Sequence, residues 1–285
     1  MLYEITVDNG SDGCTVGALL HKLGYSRRLI SSLKRTEGGI TLNGDFARTV
    51  DVCHAGDMLT LSKQDEKNPD PNDELYARIL FENERVIVYD KPSGMPVHES
   101  VRHRGDTLSN VFAAHCPGLT FRSVNRLDRD TCGCVICAKD AYSANRLQRS
   151  YEKRYVGICR GIFDKKQGTV DAPIARERES IIIRCIREDG QRAVTDYKVM
   201  GEYGDHSLVE FYLRTGRTHQ IRVHMSHIGH PIAGDGLYGG KCEEYPSLML
   251  CCKEVRFRLG DEEYAAASEF FQDHERFMGN NRSAY

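Results

Sequence analysis

Asp128 and Asp130 stand two residues apart in "VNRLDRDTCGCVICAKD", residues 124–140, and Cys132, Cys134 and Cys137 follow at once. Two chemistries are open to such a run. A close pair of carboxylates on one face of a strand is what a retaining glycosidase uses. Three thiols at steps of two and three approximate a zinc half-site, and His219, His224, His227 and His230 of "HQIRVHMSHIGH" are the imidazoles that could complete it. Backbone geometry argues against the metal. If "CGCVICAK" is a strand, Cys132 and Cys134 face one way and Cys137 the other, so the thiols do not converge. Steps of five between histidines separate helix faces and leave only the three-residue steps as neighbours. Buried packing is the expected use of the thiols, and no metal is expected. Asp130, in a loop beside arginines, reads as an ordinary ion-pair partner.

The chain that must position these groups has 285 residues, 40% of them hydrophobic and 28% charged. That suffices for a real core without disulfides or metals, and it excludes wholesale disorder and fibrous architecture. No apolar run approaches the roughly 18 residues of a membrane span, and "MLYEITVDNG" lacks a basic start followed by an apolar stretch. A cytoplasmic protein with no membrane partner is expected, its 11 cysteines reduced. The net charge of -2 excludes a globally basic protein and leaves partner choice to local patches.

Residues 63–74, "KQDEKNPDPNDE", hold no large apolar residue and two prolines, so they read as an exposed linker between a small domain, 1–62, and a large one, 75–285. In the small domain "VGALLHKLG" has helical spacing ended by Gly24. Ser26 can cap a second helix, "RRLISSLKR", which carries Arg27, Arg28, Lys34 and Arg35 with no acidic residue. "GITLNGDFA" reads as strand, Asn-Gly turn, strand, and "GDMLTL" as a closing strand. The expected order is helix, helix, hairpin, strand.

In the large domain "RVIVYDKPSGMPVH", "KRYVGICRG", "RAVTDYKVM", "SLVEFYL" and "EVRFRL" read as strands, with a helical stretch after the glycine turn at Gly216. Many strands with few helices and no regular alternation predict an α+β fold with a mixed, mostly antiparallel sheet. "RLQRSYEKRY" places Arg146, Arg149 and Lys153 at steps of three and four, read as one basic helical stripe near Asp128.

Two resemblances join these pieces. The stretch "LGYSRRLISSLKRTEGGITLNGDFARTVDVCHAGDMLTL" resembles the small RNA-binding domain of ribosomal protein S-four, late "GD" included. In that family the helix pair contacts RNA phosphates, which implies RNA-binding roles for Arg27, Arg28, Lys34 and Arg35. Residues 75 to about 258 resemble the RluA-type pseudouridine synthases. The family's signature reads His-Arg-Leu-Asp, two variable residues, Thr-Ser-Gly, then an apolar strand ending in Ala-Lys. Here Asn125 stands for the His and Cys132 for the Ser, while Arg126, Leu127, Asp128, Thr131 and Gly133 keep their places. "DKPSGMPVH", "KRYVGICRG", "AVTDYKV", "RTGRTHQIRVHMSHIGHPIAGDGLYGG" and "LMLCCKEVRF" match further segments.

The resemblance implies a pseudouridine synthase fold and an RNA uridine isomerase that needs no cofactor. The uracil leaves its stack, the bond from ribose to the ring nitrogen breaks, and the sugar rejoins the ring at carbon. Asp128 is then the catalytic carboxylate, by one of three routes: attack on the anomeric carbon, attack on the ring, or removal of a sugar proton. Arg222 is expected to pair with Asp128 and keep it ionised, and Tyr155 to stack on the displaced base. Arg126 would fill the vacated position or hold phosphate, and Arg146, Arg149 and Lys153 would contact phosphate. The His side chains would pack or touch RNA. Large-subunit ribosomal RNA is the expected partner, transfer RNA the second choice, and no obligate protein partner is expected. A non-catalytic RNA-binding or ribosome-assembly factor is the alternative reading. Asn125 and Cys132 supply neither carboxylate, cation nor stacking ring, so their effect is expected on loop rigidity.

Overall fold

A computed structural model of the chain describes residues 2–62, 69–148, 150–178, 182–241 and 243–271. The small unit comprises β1 (Leu2–Thr6), α1 (Val16–Lys22), α2 (Arg27–Leu33), β2 (Ile40–Leu42), β3 (Asp45–Phe46) and β4 (Met58–Ser62). The hydroxyls of Thr15 and Ser26 accept the amides of Ala18 and Leu29 and so cap the two helices. Asn43 and Gly44 turn the hairpin with φ of 53° and 91°. The sheet runs β1-β4-β2-β3, and Val16, Leu20, Leu33, Leu59 and Leu61 are fully buried between it and the helices. Strand β1 was missing from the expected order. It pairs with β4, more than fifty residues away, and local pattern cannot signal such a partner.

The large unit begins with β5 (Arg78–Glu82), β6 (Val86–Lys91), α3 (Leu108–His115), β7 (Arg122–Ser123), β8 (Cys132–Ala138) and α4 (Ala141–Leu147). It continues with β9 (Tyr151–Arg160), β10 (Gln167–Asp171), β11 (Ile174–Arg176), β12 (Arg184–Ile186), β13 (Val194–Tyr203) and β14 (His206–Leu213). Helix α5 (Gln220–His227), β15 (Leu250–Leu259) and β16 (Glu262–Ala267) complete it. Ten strands form one sheet with the path β10-β13-β14-β9-β15-β8-β6-β5, while β16 adds to β15 and β7 to β8. Among the described residues β8 and β15 run parallel and every other strand pair antiparallel. This is the mixed α+β sheet that the sequence indicated.

Of the expected linker, residues 63–68 lie outside the described residues, and residues 69–74 are exposed in part but tethered. Asn110 on α3 donates to the Asp70 carbonyl at 2.8 Å, and Asn72 donates to Gly105 O at 2.7 Å. The small unit rests on α4: Tyr25 and Tyr142 have ring centroids 4.8 Å apart, and Asn145 donates to Gly24 O at 2.9 Å.

Among the described residues, Arg146 and Lys153 do not share the helical stripe expected over "RLQRSYEKRY". Helix α4 stops at Leu147, and Lys153 lies on β9, which pairs antiparallel with β14 and, with a register shift between Cys252 and Glu254, with β15, where Lys153 stands opposite Val255. Arg146 is exposed at the end of α4 beside Tyr142, and Arg149 lies outside the described residues. Gly133 has φ of 104°; Cys132 packs with Val156 and Cys251, and Cys134 and Cys137 lie in the main core. Only glycine fits there: a Cβ at Gly133 would lie 2.3 Å from the Cys252 carbonyl.

Candidate active site

Asp128 sits on the loop that joins β7 to the fully buried β8, and several side chains fix that loop from beneath. Asn125 donates to Cys134 O at 3.0 Å and accepts from Ile136 N at 2.8 Å, so one buried amide spans the backbone of β8. Leu127 is buried, and the Thr131 amide closes a turn on Asp128 O at 3.2 Å. Lys91, at the end of β6 and fully buried, donates to Pro92 O, Met95 O and Arg129 O at 2.9, 2.7 and 2.9 Å. Burial pushes its ammonium down from 10.5 to about 8. Three carbonyl acceptors, however, are satisfied together only by three N–H groups, which the neutral amine lacks.

The loop presents three side chains differently. Arg129 turns outward and engages Asp130 at 2.9 Å, so Asp130 is an ion-pair partner and no second reacting carboxylate. Arg126 is exposed and, among the described residues, makes no ion pair. Asp128 lies between, its side chain 27% exposed, and among the described residues its carboxylate accepts no hydrogen bond. The carboxylate is open to a ligand.

Around it lies a cleft of ≈ 230 Å³, lined by Arg126, Asp128, Lys153, Tyr155, His219 and Arg222 among others. That is below the roughly 300–1,000 Å³ of sites for drug-sized ligands, and it suits one displaced ring better than a larger molecule. Tyr155 and Lys153 enter from β9, two residues apart and hence on one face. The Lys153 ammonium lies 5.7 Å from the Tyr155 ring centroid. Burial lowers the Lys153 pKa, opposed by the nearby Asp128 carboxylate. Burial also raises the Tyr155 phenol well above its ordinary value, so the ring is neutral; the side chain belongs to the main core and lines the cleft at its edge.

The sequence paired Arg222 with Asp128, and the structure gives the guanidinium another partner. Its Nε and Nη2 both reach Asp235, each at 2.8 Å, and the two side chains are buried. Asp235 also accepts the amides of Leu237 and Tyr238 at 3.0 and 3.3 Å. A planar fork meets a carboxylate in its own plane, and neither group has water to compete. Arg222 still lines the cleft, and Asp128 acts on it electrostatically at longer range.

An imidazole that the sequence left to packing or RNA contact lies close to Asp128. His219 Nε2 lies 4.0 Å from Asp128 Oδ1, and its Nδ1 lies 2.7 Å from the Tyr238 hydroxyl. His219 has φ of 58° where the chain enters α5, a conformation few non-glycine residues adopt. Of the other imidazoles, His224 is buried between Thr195 Oγ1 and Ala172 O, and His230 stacks on Phe163 with centroids 3.8 Å apart. Lys91 was missed for a related reason. A charged residue closing an apolar strand, "VIVYDK", was a visible signal, but its three acceptors come from two separate loops.

The basic residues of the small unit, Arg27, Arg28, Lys34 and Arg35, are all exposed, the first two in the first turn of α2 and the others just past its end.

A family model described as RNA pseudouridylate synthase matches residues 85–227, which include Asp128, Tyr155 and Arg222. The protein described as uncharacterized RNA pseudouridine synthase YjbO of Bacillus subtilis is 36% identical over 259 residues, 85% of this chain and 90% of that one. Ribosomal large subunit pseudouridine synthase D of Pseudomonas aeruginosa is 35% identical over 215 residues, 72% of this chain and 67% of that one. Among solved structures, human RNA pseudouridylate synthase domain containing 1 superposes with a TM-score of 0.59 at 27% identity, covering 70% of this chain and 85% of that one.

Proposed function

The chain belongs to the RNA pseudouridylate synthase family and is an RNA uridine isomerase, and from that premise we propose that it acts on large-subunit ribosomal RNA with Asp128 as the catalytic carboxylate. The observation that carries the residue assignment is the open carboxylate. Asp128 has no hydrogen bond to a described residue, faces a one-ring cleft, and has the Tyr155 ring and the Lys153 cation on the adjoining wall.

The isomerisation breaks the bond between ribose C1′ and uracil N1, turns the ring, and joins C1′ to C5. The C5 proton leaves and N1 gains one, so atoms and electrons balance without a cofactor. An ionised Asp128 serves each of the three routes open to it, since attack and proton removal both use the carboxylate lone pair. Tyr155 replaces part of the stacking that the flipped uracil gives up, worth about 1–3 kcal/mol per base. Arg126, exposed on the same loop, holds backbone phosphate or fills the gap left in the stack.

Arg27, Arg28, Lys34 and Arg35 form the second contact, where their exposure on α2 and its C-terminal end suits phosphate binding. The ribosomal assignment rests on similarity to the Pseudomonas aeruginosa large-subunit enzyme. Removing the gene and mapping pseudouridines by carbodiimide-blocked primer extension across total RNA tests it. Loss of one or a few sites in large-subunit RNA is expected, and losses confined to transfer RNA would contradict the assignment.

A further inference from the structure

A chain of polar contacts leads away from Asp128 that the reaction as derived so far does not use. Beyond the carboxylate comes His219, then the Tyr238 hydroxyl at 2.7 Å, which accepts the Arg184 amide N–H at 2.9 Å. We propose that His219 is a positioning residue for Asp128, presenting its Nε2–H to the carboxylate while the Tyr238 hydroxyl donates to its Nδ1. The proposal rests on Asp128 being the catalytic carboxylate.

The donor assignment follows from the neighbours. A tyrosine hydroxyl has one proton to give. The oxygen of Tyr238 is already occupied on one side by the Arg184 amide, and its proton then satisfies Nδ1. Nε2, the only other ring nitrogen, carries the imidazole proton and faces a carboxylate. The alternative tautomer would set an Nε2 lone pair against a negative oxygen.

The electrostatic surroundings favour a neutral ring. The side chain of His219 is 7% exposed, and the charged and titratable groups facing it are Asp128 from the catalytic loop, Arg222 from α5, Arg184 from β12, and Asp235 and Tyr238 from the turn after α5. Burial, then the cations Arg222 and Arg184, lower its pKa against the raising effects of Asp128 and Asp235. A neutral imidazole gives one directed N–H and leaves the carboxylate its full charge for attack. The 4.0 Å gap in the free protein closes by rotation of the Asp128 side chain, as contacts in empty active sites commonly tighten when substrate arrives. The left-handed φ at His219 has a reason in this scheme, since it aims the ring at the loop rather than along α5.

A donor to a charged acceptor favours the charged form. Removing it should therefore slow the reaction and raise the pH at which activity is lost on the acid side. His219→Leu is expected to slow single-turnover pseudouridine formation at pH 7 by about tenfold or more and to move the acid limb up by about one pH unit. His219→Gln, whose side-chain amide offers N–H at similar reach, should restore most of both, with RNA affinity unchanged in either variant. A role in packing alone predicts no shift of the acid limb, and that result for a folded His219→Leu overturns the proposal. So does a Gln variant as slow as the Leu variant with an unshifted limb.

A second measurement does not depend on any variant folding. The ¹⁵N shifts of His219 in the wild-type protein at pH 7 should report protonation at Nε2, and protonation at Nδ1 overturns the proposal. Asp128→Asn is assayed beside them. Product from that variant would overturn the catalytic reading and this proposal with it. An inactive Asp128→Asn beside an unaffected His219→Leu overturns this proposal alone.

Discussion

Arg222 and Asp235 form a two-point ion pair sealed from water, Nε to Oδ2 and Nη2 to Oδ1 both at 2.8 Å, with side chains 3% and 0% exposed. The pair holds Arg222 in the wall of the cleft, and the same turn that carries Asp235 places the Tyr238 ring 5.1 Å from the guanidinium carbon. Removing one partner strands the other charge. Asp235→Ala should lower stability by about 3–5 kcal/mol in urea unfolding. Arg222→Met combined with Asp235→Leu should recover most of that loss, and a double variant as unstable as the single one would contradict the assignment.

Lys91 links pH to the loop that bears Asp128. Its folded value of about 8 lies below the ordinary 10.5, so the unfolded chain binds more protons between those pH values. Its contribution to stability is therefore present above the ordinary value and is lost as the pH falls through about 8. Its effect on rate has the opposite sign. Above about pH 8 the neutral amine satisfies at most two of the three carbonyls, and the loop that bears Asp128 loosens. The single-turnover rate should fall on the alkaline side near that pH. Lys91→Met should be slow throughout and lack that limb.

Asn125 is the third case. Its amide makes two buried hydrogen bonds to the β8 backbone, and Asn125→Leu leaves Cys134 O and Ile136 N without partners. Each orphaned group costs about 1–3 kcal/mol. The variant should lose about 2–4 kcal/mol of stability by denaturant titration, and its rate should fall because Asp128 is less firmly held. Unchanged stability would mean the amide is dispensable.

The small unit is tested by salt. Replacing Arg27, Arg28, Lys34 and Arg35 together by Ala should weaken RNA binding and flatten the dependence of log affinity on log salt by about 3, close to 0.7–0.9 for each lost phosphate contact. The rate at saturating RNA should hold, because loss of backbone contacts alone leaves the cleft around Asp128 untouched. An unchanged slope would remove them from the interface.

Much of this was legible in the sequence because it is local. The loop from Asn125 to Asp130, the buried strand after it, the Asn-Gly hairpin and the Ser26 cap of the small unit are set by residues within a few positions of one another. What escaped is what folding brings from afar. Arg222 has two carboxylates within reach, and burial of Asp235, invisible in one dimension, decides between them. His219 gains meaning from Tyr238 and Asp128, which lie on other loops. The stripe read over Arg146, Arg149 and Lys153 failed because nothing in "RLQRSYEKRY" marks where a helix gives way to a strand; pairing with β14 and β15 does.

The central claim is that the open carboxylate of Asp128 carries out the isomerisation. The most direct measurement is pseudouridine formed by Asp128→Asn on ribosomal RNA from the deletion strain, with RNA affinity and thermal stability measured on the same sample. The account predicts a folded variant that binds RNA as the wild type does and forms no pseudouridine. Product formed at a rate near that of the wild type would contradict it.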